Sequence, residues 1–439
     1  MENSTTCLNS GLASEQLVAW IGLDWADNQH QISSYDITSG QVEVYALKHS
    51  PETLQQWLND LRKRYNGGKV AVVLEQSRGA VLYALMSCDF VLLYPVNPQA
   101  LASYRKAFYT SGAKDDPTDA TLLMEMVSKH PERFRAWVPE DPDTRSLQLL
   151  VEARRKLVNQ LTMCTNQLTS CLKSYFPQAL EWAGELDSRQ ACDFLEHWPT
   201  LEALQQARPS RLRKFYLKHG RPSVETIQRR LEQIKQALPL TNDPAAVLAG
   251  SLIVRALVAQ IQPLTATIKE FDDEIKRLFQ KHPDRQVFES LPGAGQALAP
   301  RLLAAIGADR ERWESAAEIQ TFSGIAPVTA QSGKKRFVHR RLACPKFVRQ
   351  TFHEFAGSSI VWCDWAKALY DHLRAHGKGR HAALRVLAYK WIRVIFACWK
   401  NRTLYDEEIF LKSLALRGSH LSQLTQATQE SKTAKKLAA

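Results

Sequence analysis

The order of apolar and polar positions divides the chain into three stretches of different character. Between residues 19 and 49, short apolar runs appear as "AWIGLDWA", "HQISSYDI" and "VEVYALKH", the last two parted by the polar turn "TSGQ". This pattern predicts three short strands. In "PETLQQWLNDLRKRY" (51–65), Leu54, Trp57, Leu58 and Leu61 share one helical face. "KVAVVLE" (69–75) then predicts a buried strand, "GAVLYALMSC" a short helix, "VLLYPV" (91–96) a strand and "PQALASYRKAF" a helix. Antiparallel-type strands followed by strand–helix alternation predict a mixed α/β domain ending near residue 130.

The second stretch changes period. Residues 143–175 and 222–283 read as long helices, with "LQLLVEARRKLVNQLTMCTNQLTSCL" repeating apolar residues at three- and four-residue steps. They predict an antiparallel helical arm or coiled coil, with the segment around Pro209 and Pro222 as its connector or tip. The third stretch opens with "QVFESLPGAGQALAPRLLAAIG" (286–307), two helices around Pro292-Gly293-Ala294-Gly295. This is the pattern of a helix-hairpin-helix. Gly293 and Gly295 would let backbone N–H groups approach an anion such as a DNA phosphate. A plain helix–helix turn gives the same signal. Further helices are predicted at 313–322, 345–373 and 381–400.

Charge adds a partner. Lys and Arg outnumber Asp and Glu by 57 to 45, a net +12. Residues 334–350, "KKRFVHRRLACPKFVRQ", hold seven Lys or Arg and no acid, and 205–237 is a second basic run. Aromatics and His interleave both, as in nucleic-acid grooves. The opening "MENSTTCLNSGLASEQ" lacks a signal-peptide pattern, and the apolar segment 245–261 is interrupted by Arg255. A soluble cytoplasmic protein with no membrane role is expected. Eight cysteines without a CxxC pair argue against a zinc site or a disulfide framework.

Candidate chemistry lies in four acids. Asp24 ends the first strand, Glu75 ends the buried strand, and Asp116 and Asp119 flank Pro117 at a helix start, with Asp115 an alternative to Asp116. Taken singly, Asp116 suits an N-cap and Asp24 a strand-end turn. Buried together they would repel one another, which a hard divalent cation relieves. Two Mg2+ ions about 3.5–4 Å apart can clamp a phosphodiester.

The order of Asp24, Glu75 and Asp116-x-x-Asp119, with "LYPVNPQALASYRKAFYTSGAKDDPTDA", resembles the DEDD transposases of bacterial insertion sequences, family one-ten. "LPGAGQALAPRLLAAIG" followed by "FSGIAPVTAQSGKKR" resembles that family's C-terminal transposase domain. The likeness covers about residues 18–130 and 285–400. Asp27 departs from the Lys of many relatives, and "QSRG" after Glu75 from their short Thr-Gly or Ser-Gly.

The resemblance implies an α/β plus α fold: a flexible N-terminus (1–17), a RuvC-like, ribonuclease-H-like mixed-sheet domain (18–135), a helical or coiled-coil arm (136–284), a mainly helical C-terminal transposase domain (285–415) and a flexible tail (416–439). It implies Mg2+ or Mn2+ held by Asp24, Glu75, Asp116 and Asp119. It makes Ser332 a nucleophile that would form a phosphoserine linkage. Lys334, Lys335, Arg336, Arg340 and Arg341 would hold the strands, and His339 would act as a general acid or base or contact phosphate. A bridge RNA choosing target and donor DNA, and a dimer or tetramer associated with the nucleoid, belong to the same expectation. A junction-type nuclease and a non-catalytic nucleic-acid scaffold are its rivals.

Overall fold

The computed structural model describes residues 17–75, 79–108, 116–220, 222–333 and 335–437. Asp115, Lys334 and almost all of the expected flexible N-terminus lie outside these. The chain divides into two compact units, residues 1–139 and 140–439.

The first unit is a five-stranded mixed sheet. Its strands are β1 (Leu17–Asp24), β2 (Gln29–Asp36), β3 (Val42–Lys48), β4 (Lys69–Leu74) and β5 (Val91–Pro95), in the order β3-β2-β1-β4-β5. The first three form an antiparallel meander, and β4 and β5 run parallel to β1. Helix α1 (Pro51–Arg64) makes the crossover to β4 and α2 (Ala80–Leu85) the one to β5. Local chemistry starts α1: Ser50 accepts the Thr53 N–H at 3.2 Å, Pro51 needs no donor, and Glu52 faces the positive helix end. It buries Trp57, Leu58 and Leu61 on the sheet.

Two-residue alternation gives the sheet two faces. Ala19, Ile21, Leu23, Val70, Val72 and Leu74 meet α1 and α2. Trp20, Ala71 and Val73 meet the other face's cover, Leu101 of α3 (Pro98–Phe108) and Leu122, Leu123 and Val127 of α4 (Asp116–Ser128). Gly22 belongs to that second face. A Cβ there would lie 1.9 Å from the Ala120 carbonyl oxygen and 2.8 Å from the Met124 nitrogen. The backbone of α4 therefore rests on β1 at its glycine, and any side chain at position 22 displaces the helix.

The second unit is helical apart from one hairpin among the described residues. Its long helices α5 (Pro142–Tyr175) and, after helices α6 to α10 within residues 179–236, α11 (Pro244–Lys281) run antiparallel. Contacts Thr144–His282, Arg154–Asp272, Cys164–Gln260 and Cys171–Gly250 fix that direction. The expected single helix over 222–283 is two, because Pro239 and Pro244 break it; α10 (Val224–Gln236) ends before them and Asp243 caps α11. The expected connector is a folded tip, with Phe176, Phe194, Leu204 and Tyr216 packed against Val254 and Ile261 of α11. By length and composition α11 is apolar enough to cross a bilayer, yet it supplies Val254, Leu257, Val258 and Ile261 to this core.

After the arm come α12 (Arg285–Glu289), α13 (Gly295–Ile306), α14 (Ala316–Phe322), strands β6 (Val328–Ser332) and β7 (Lys335–His339), α15 (Lys346–Trp362), α16 (Asp364–Ala375), α17 (Arg380–Asn401), α18 (Glu407–Leu416) and α19 (His420–Leu437). The helix expected over 345–373 breaks at Cys363, whose φ of −139° and ψ of 122° are extended. Residues 420–437, expected to be a flexible tail, are helical. Buried indoles organise this core and each finds an acceptor: Trp391 on Ser359, Trp399 on the Gly307 carbonyl and Trp365 on the Tyr405 hydroxyl, all at 2.8 Å. The base of the arm joins the same core through Leu147, Val151, Ile275 and Phe279. Glu140 locks that joint by accepting the Ala308 and Asp309 N–H groups at 2.9 and 3.1 Å.

Candidate active site

In the first unit, β1 and β4 are parallel neighbours paired up to Leu23 and Leu74. Asp24 and Glu75 are the next residues on each, so they stand side by side at the carboxyl ends of adjacent strands. By alternation both belong to the face that carries Trp20, Gly22, Ala71 and Val73, which α4 covers. Asp116 and Asp119 occupy the first turn of α4. Asp119 is buried and Asp116 is exposed. The seat of α4 on Gly22, two residues before Asp24, holds that turn over the strand ends.

Asp119 does not stand there as a bare charge. Arg105 of α3 forms an ion pair with it through Nη2 and Oδ1, and the two side chains are 19% and 4% exposed. The pair replaces the expected mutual repulsion of buried acids with a guanidinium. Sequence reasoning misses Arg105 because its partner lies on another helix, and nothing in "SYRKAF" sets Arg105 apart from Lys106. Among the described residues no three His, Cys, Asp or Glu side chains form a ready-made cage for an ion. The donor chemistry nonetheless suits a hard divalent cation: carboxylates at two strand ends, and a third, buried, whose Oδ1 has no hydrogen-bond partner.

A second feature that the sequence hides fixes the loop after Asp24. The Ala26 N–H donates to His30 Nδ1 at 3.2 Å, so His30 carries its proton on Nε2 and donates to His49 Nδ1 at 2.9 Å. Trp25 stacks on His30. Burial, then His49, lowers the His30 pKa and keeps the ring neutral.

In the second unit, Ser332 ends β6 in a hairpin whose two strands are exposed at every residue. The loop to β7 has two residues, and Gly333 adopts φ 56°, a conformation such turns demand. The expectation of a basic strip alone therefore misses a strand pair. A two-stranded ribbon is marginal by itself, and this one also exposes Phe337 and Val338 by 55% and 62%.

Register sorts the neighbours of Ser332. Lys335 lies directly across from it, and Ala330 with Phe337 and Val328 with His339 follow on the same face. Arg336 pairs with Gln331 on the opposite face. His339 sits at the far end of the hairpin, four residues along the strand and about 13 Å from the serine. That corrects the expectation that His339 serves the serine as a general acid or base. Lys334 lies outside the described residues.

At the hairpin's base the structure gathers cations that the sequence reading does not single out. Burial, then Arg340 and Arg349, lowers the Arg385 pKa, and His353 stacks on His381 at 5.5 Å. Arg349 with His353 and His381 with Arg385 are both four-residue helical pairs, a spacing that the sequence does display. In the predicted helix-hairpin-helix, Gly293 is spent on packing: its carbonyl accepts the Ser358 hydroxyl at 2.7 Å, and a Cβ would meet Trp362 at 2.9 Å. Gly295 starts α13 with open space around it.

Charge reversal separates these roles. Lys335→Glu and Arg336→Glu should each weaken duplex DNA binding and lower the log–log salt slope by about 0.9 for each phosphate no longer neutralised. Lys335→Glu should also slow strand transfer at saturating DNA, because it faces the serine. Filter binding between low and moderate salt checks the slope; an unchanged slope means that the hairpin faces solvent.

Comparison with known proteins is consistent along the chain. A family model of DEDD transposases of the IS110 type matches residues 21–177, and one described as the transposase IS116/IS110/IS902 family matches residues 285–371. The "Mini-circle putative transposase for IS117" of Streptomyces coelicolor is 26% identical over 90% of this chain and 97% of its own. The "Insertion element IS900 uncharacterized 42 kDa protein" of Mycobacterium paratuberculosis is 23% identical over 88% and 96%. The "Transposase for insertion sequence element IS1111A" of Coxiella burnetii is 22% identical over 55% and 51%.

Proposed function

Because the chain belongs to the IS110 family of DEDD transposases, we propose that it cuts and rejoins DNA through a phosphoserine intermediate on Ser332. In this reading Asp24, Glu75, Asp116 and Asp119 hold Mg2+ or Mn2+, and a bridge RNA selects target and donor DNA. As a transposase the protein acts on DNA. The observation that carries the finer reading is the pairing of Asp24 and Glu75 on neighbouring strand ends beneath the acidic first turn of α4.

The balance of the reaction is simple. The Ser332 Oγ–H bond breaks and an Oγ–P bond forms. One phosphodiester P–O bond breaks, and the departing strand oxygen keeps the electron pair and gains a proton. The phosphate is conserved as a diester, so a second strand's hydroxyl can reverse the step and release the serine. A bound divalent cation would supply charge neutralisation at the phosphate. Ser332 sits at a turn where Gly333 keeps the backbone bare, and Lys335 across the ribbon offsets phosphate charge. Arg340, Arg341, Arg349 and Arg385 extend the cationic surface away from the serine. Gly295, at the open start of α13, offers backbone N–H groups to a further phosphate.

The domain roles follow: residues 18–135 as the ribonuclease-H-like acidic domain, 136–284 as an arm and 285–415 as the serine domain. The arm exposes Leu248, Leu252 and Ile253 by 50–63%. That supports its use in pairing copies as a dimer or tetramer. A cytoplasmic, nucleoid-associated protein fits this activity.

RNA guidance is supported by what is lacking among the described residues. No helix is arranged as a base reader of the zinc-finger, zipper or homeodomain kind, and phosphate contacts carry no sequence. Parts of the basic segment 205–237 are already committed, Arg211 over Trp198, Arg230 over Tyr216 and Lys218 beside Asp193. Its other cations can track a folded RNA. RNA-free protein should recombine DNA without site preference, and a structured RNA from the element's flank should restore preference by at least about a thousandfold. Changing the RNA loop should redirect insertion. Equal site fidelity from ribonuclease-treated protein excludes guidance.

A further inference from the structure

We propose that Arg105 is the internal counter-cation of the acidic site: it holds Asp119 while no divalent ion is bound and is displaced when one binds. The inference rests on the metal-binding reading of the four acids given above.

The Arg105–Asp119 contact differs from a fitted structural ion pair elsewhere in the chain. Arg310 engages both oxygens of Asp284 through two nitrogens, at 2.6 and 2.7 Å. Arg105 approaches Asp119 through Nη2 at Oδ1 without making a hydrogen bond there. A bidentate fork is the strong arrangement for arginine and carboxylate. A contact outside that geometry neutralises charge without the hydrogen bonds that would hold the guanidinium in place.

The two groups also differ in freedom. Asp119 sits in a helix whose next residue, Ala120, lies against Gly22 on β1, so its backbone cannot withdraw from the strand ends. The guanidinium ends a long side chain and can swing away. A divalent ion bound by Asp24, Glu75 and Asp119 would compete with Arg105 for the Asp119 carboxylate. The two cations also repel each other strongly at such range. Arg105 therefore raises the ion concentration needed to load the site. Once released, it stands beside the acids as a planar donor fork suited to phosphate. This makes it a positioning residue that couples ion loading to substrate engagement.

The test uses full-chain protein free of nucleic acid, titrated with Mn2+ and read by the paramagnetic signal of the free ion. Arg105→Gln should bind Mn2+ at least about tenfold more tightly than the wild type, and Arg105→Lys, which keeps the charge, within about threefold of it. Asp119→Asn should weaken binding. If Asp119→Asn binds as the wild type does, the metal reading of that acid fails, whatever Arg105 does. If Asp119→Asn weakens binding and Arg105→Gln does not strengthen it, Arg105 is a structural partner only and the proposal is overturned. A second measurement needs no variant at 105. Phenylglyoxal labelling of wild-type Arg105, read by peptide mass spectrometry, should rise several-fold when Mn2+ is added. Unchanged or reduced labelling overturns the displacement.

Discussion

Ser332→Ala should reduce strand transfer to background, a loss of about six orders of magnitude if the residue is the nucleophile. DNA and RNA affinity should stay within about twofold, because one hydroxyl is removed from a fully exposed strand end. Stability should not move, since surface changes away from caps and cores lie within about 0.5 kcal/mol. Ser332 has no packing duty that the substitution could disturb: its neighbours on the ribbon face are Ala330 and the cross-strand Lys335. The positive φ is carried by Gly333, which remains. A recombination assay on supercoiled donor and target, with binding measured in parallel, checks both halves. Retained strand transfer in Ser332→Ala returns the serine to a turn residue.

Asp24→Ala, Glu75→Ala, Asp116→Ala and Asp119→Ala should each cut strand cleavage by about two to three orders of magnitude, the loss typical when one group arranged to meet transition-state charge is removed. Their effects on stability should differ. Repulsion between acids alone would make every removal neutral or stabilising. Asp119 instead has Arg105 as its partner, both largely buried. Asp119→Ala removes the Arg105 contact and should cost about 1 kcal/mol in the first unit, less than a trapped charge because the guanidinium can swing away. Asp116 is exposed and its removal should cost almost nothing. Thermal unfolding of the four variants beside their cleavage rates separates the two effects. Equal stability in all four would mean that the Arg105 contact carries no energy, and full cleavage in excess chelator would exclude the metal site.

The legible parts of the fold are those with a buried face. The strands over 19–49, 69–75 and 91–96 are readable because each sends alternate residues into one of two cores, and α1 because Trp57, Leu58 and Leu61 share a stripe. The hairpin over 328–339 is not readable, since every one of its strand residues is exposed and no alternation results. The break between α10 and α11 is signalled in the sequence by Pro239 and Pro244 with the polar Thr241-Asn242-Asp243 between them. The tip at 176–236 hides its helices in short segments capped one by one by Ser188, Thr200 and Ser223.

The site divides the same way. Asp24, Glu75, Asp116 and Asp119 are legible from their positions at element ends. Arg105, His30 and His49 are not, because their meaning comes from partners brought close by the sheet and by α4's seat on Gly22. Arg349 and Arg385 stay hidden for the same reason: two helices bring them to Arg340, and no sequence signal links the two helices. His339 looks close to Ser332 in sequence, and the hairpin sets them at opposite ends.

The central claim is the covalent bond between Ser332 and DNA. A suicide DNA substrate, nicked so that the cleaved fragment diffuses away, should leave protein covalently linked to DNA in the presence of Mg2+ and guide RNA. Digestion and mass spectrometry should place the phosphodiester on the peptide that contains Ser332, and Ser332→Ala should give no adduct. Efficient metal-dependent cutting with no adduct on that peptide would contradict the account and make water the nucleophile.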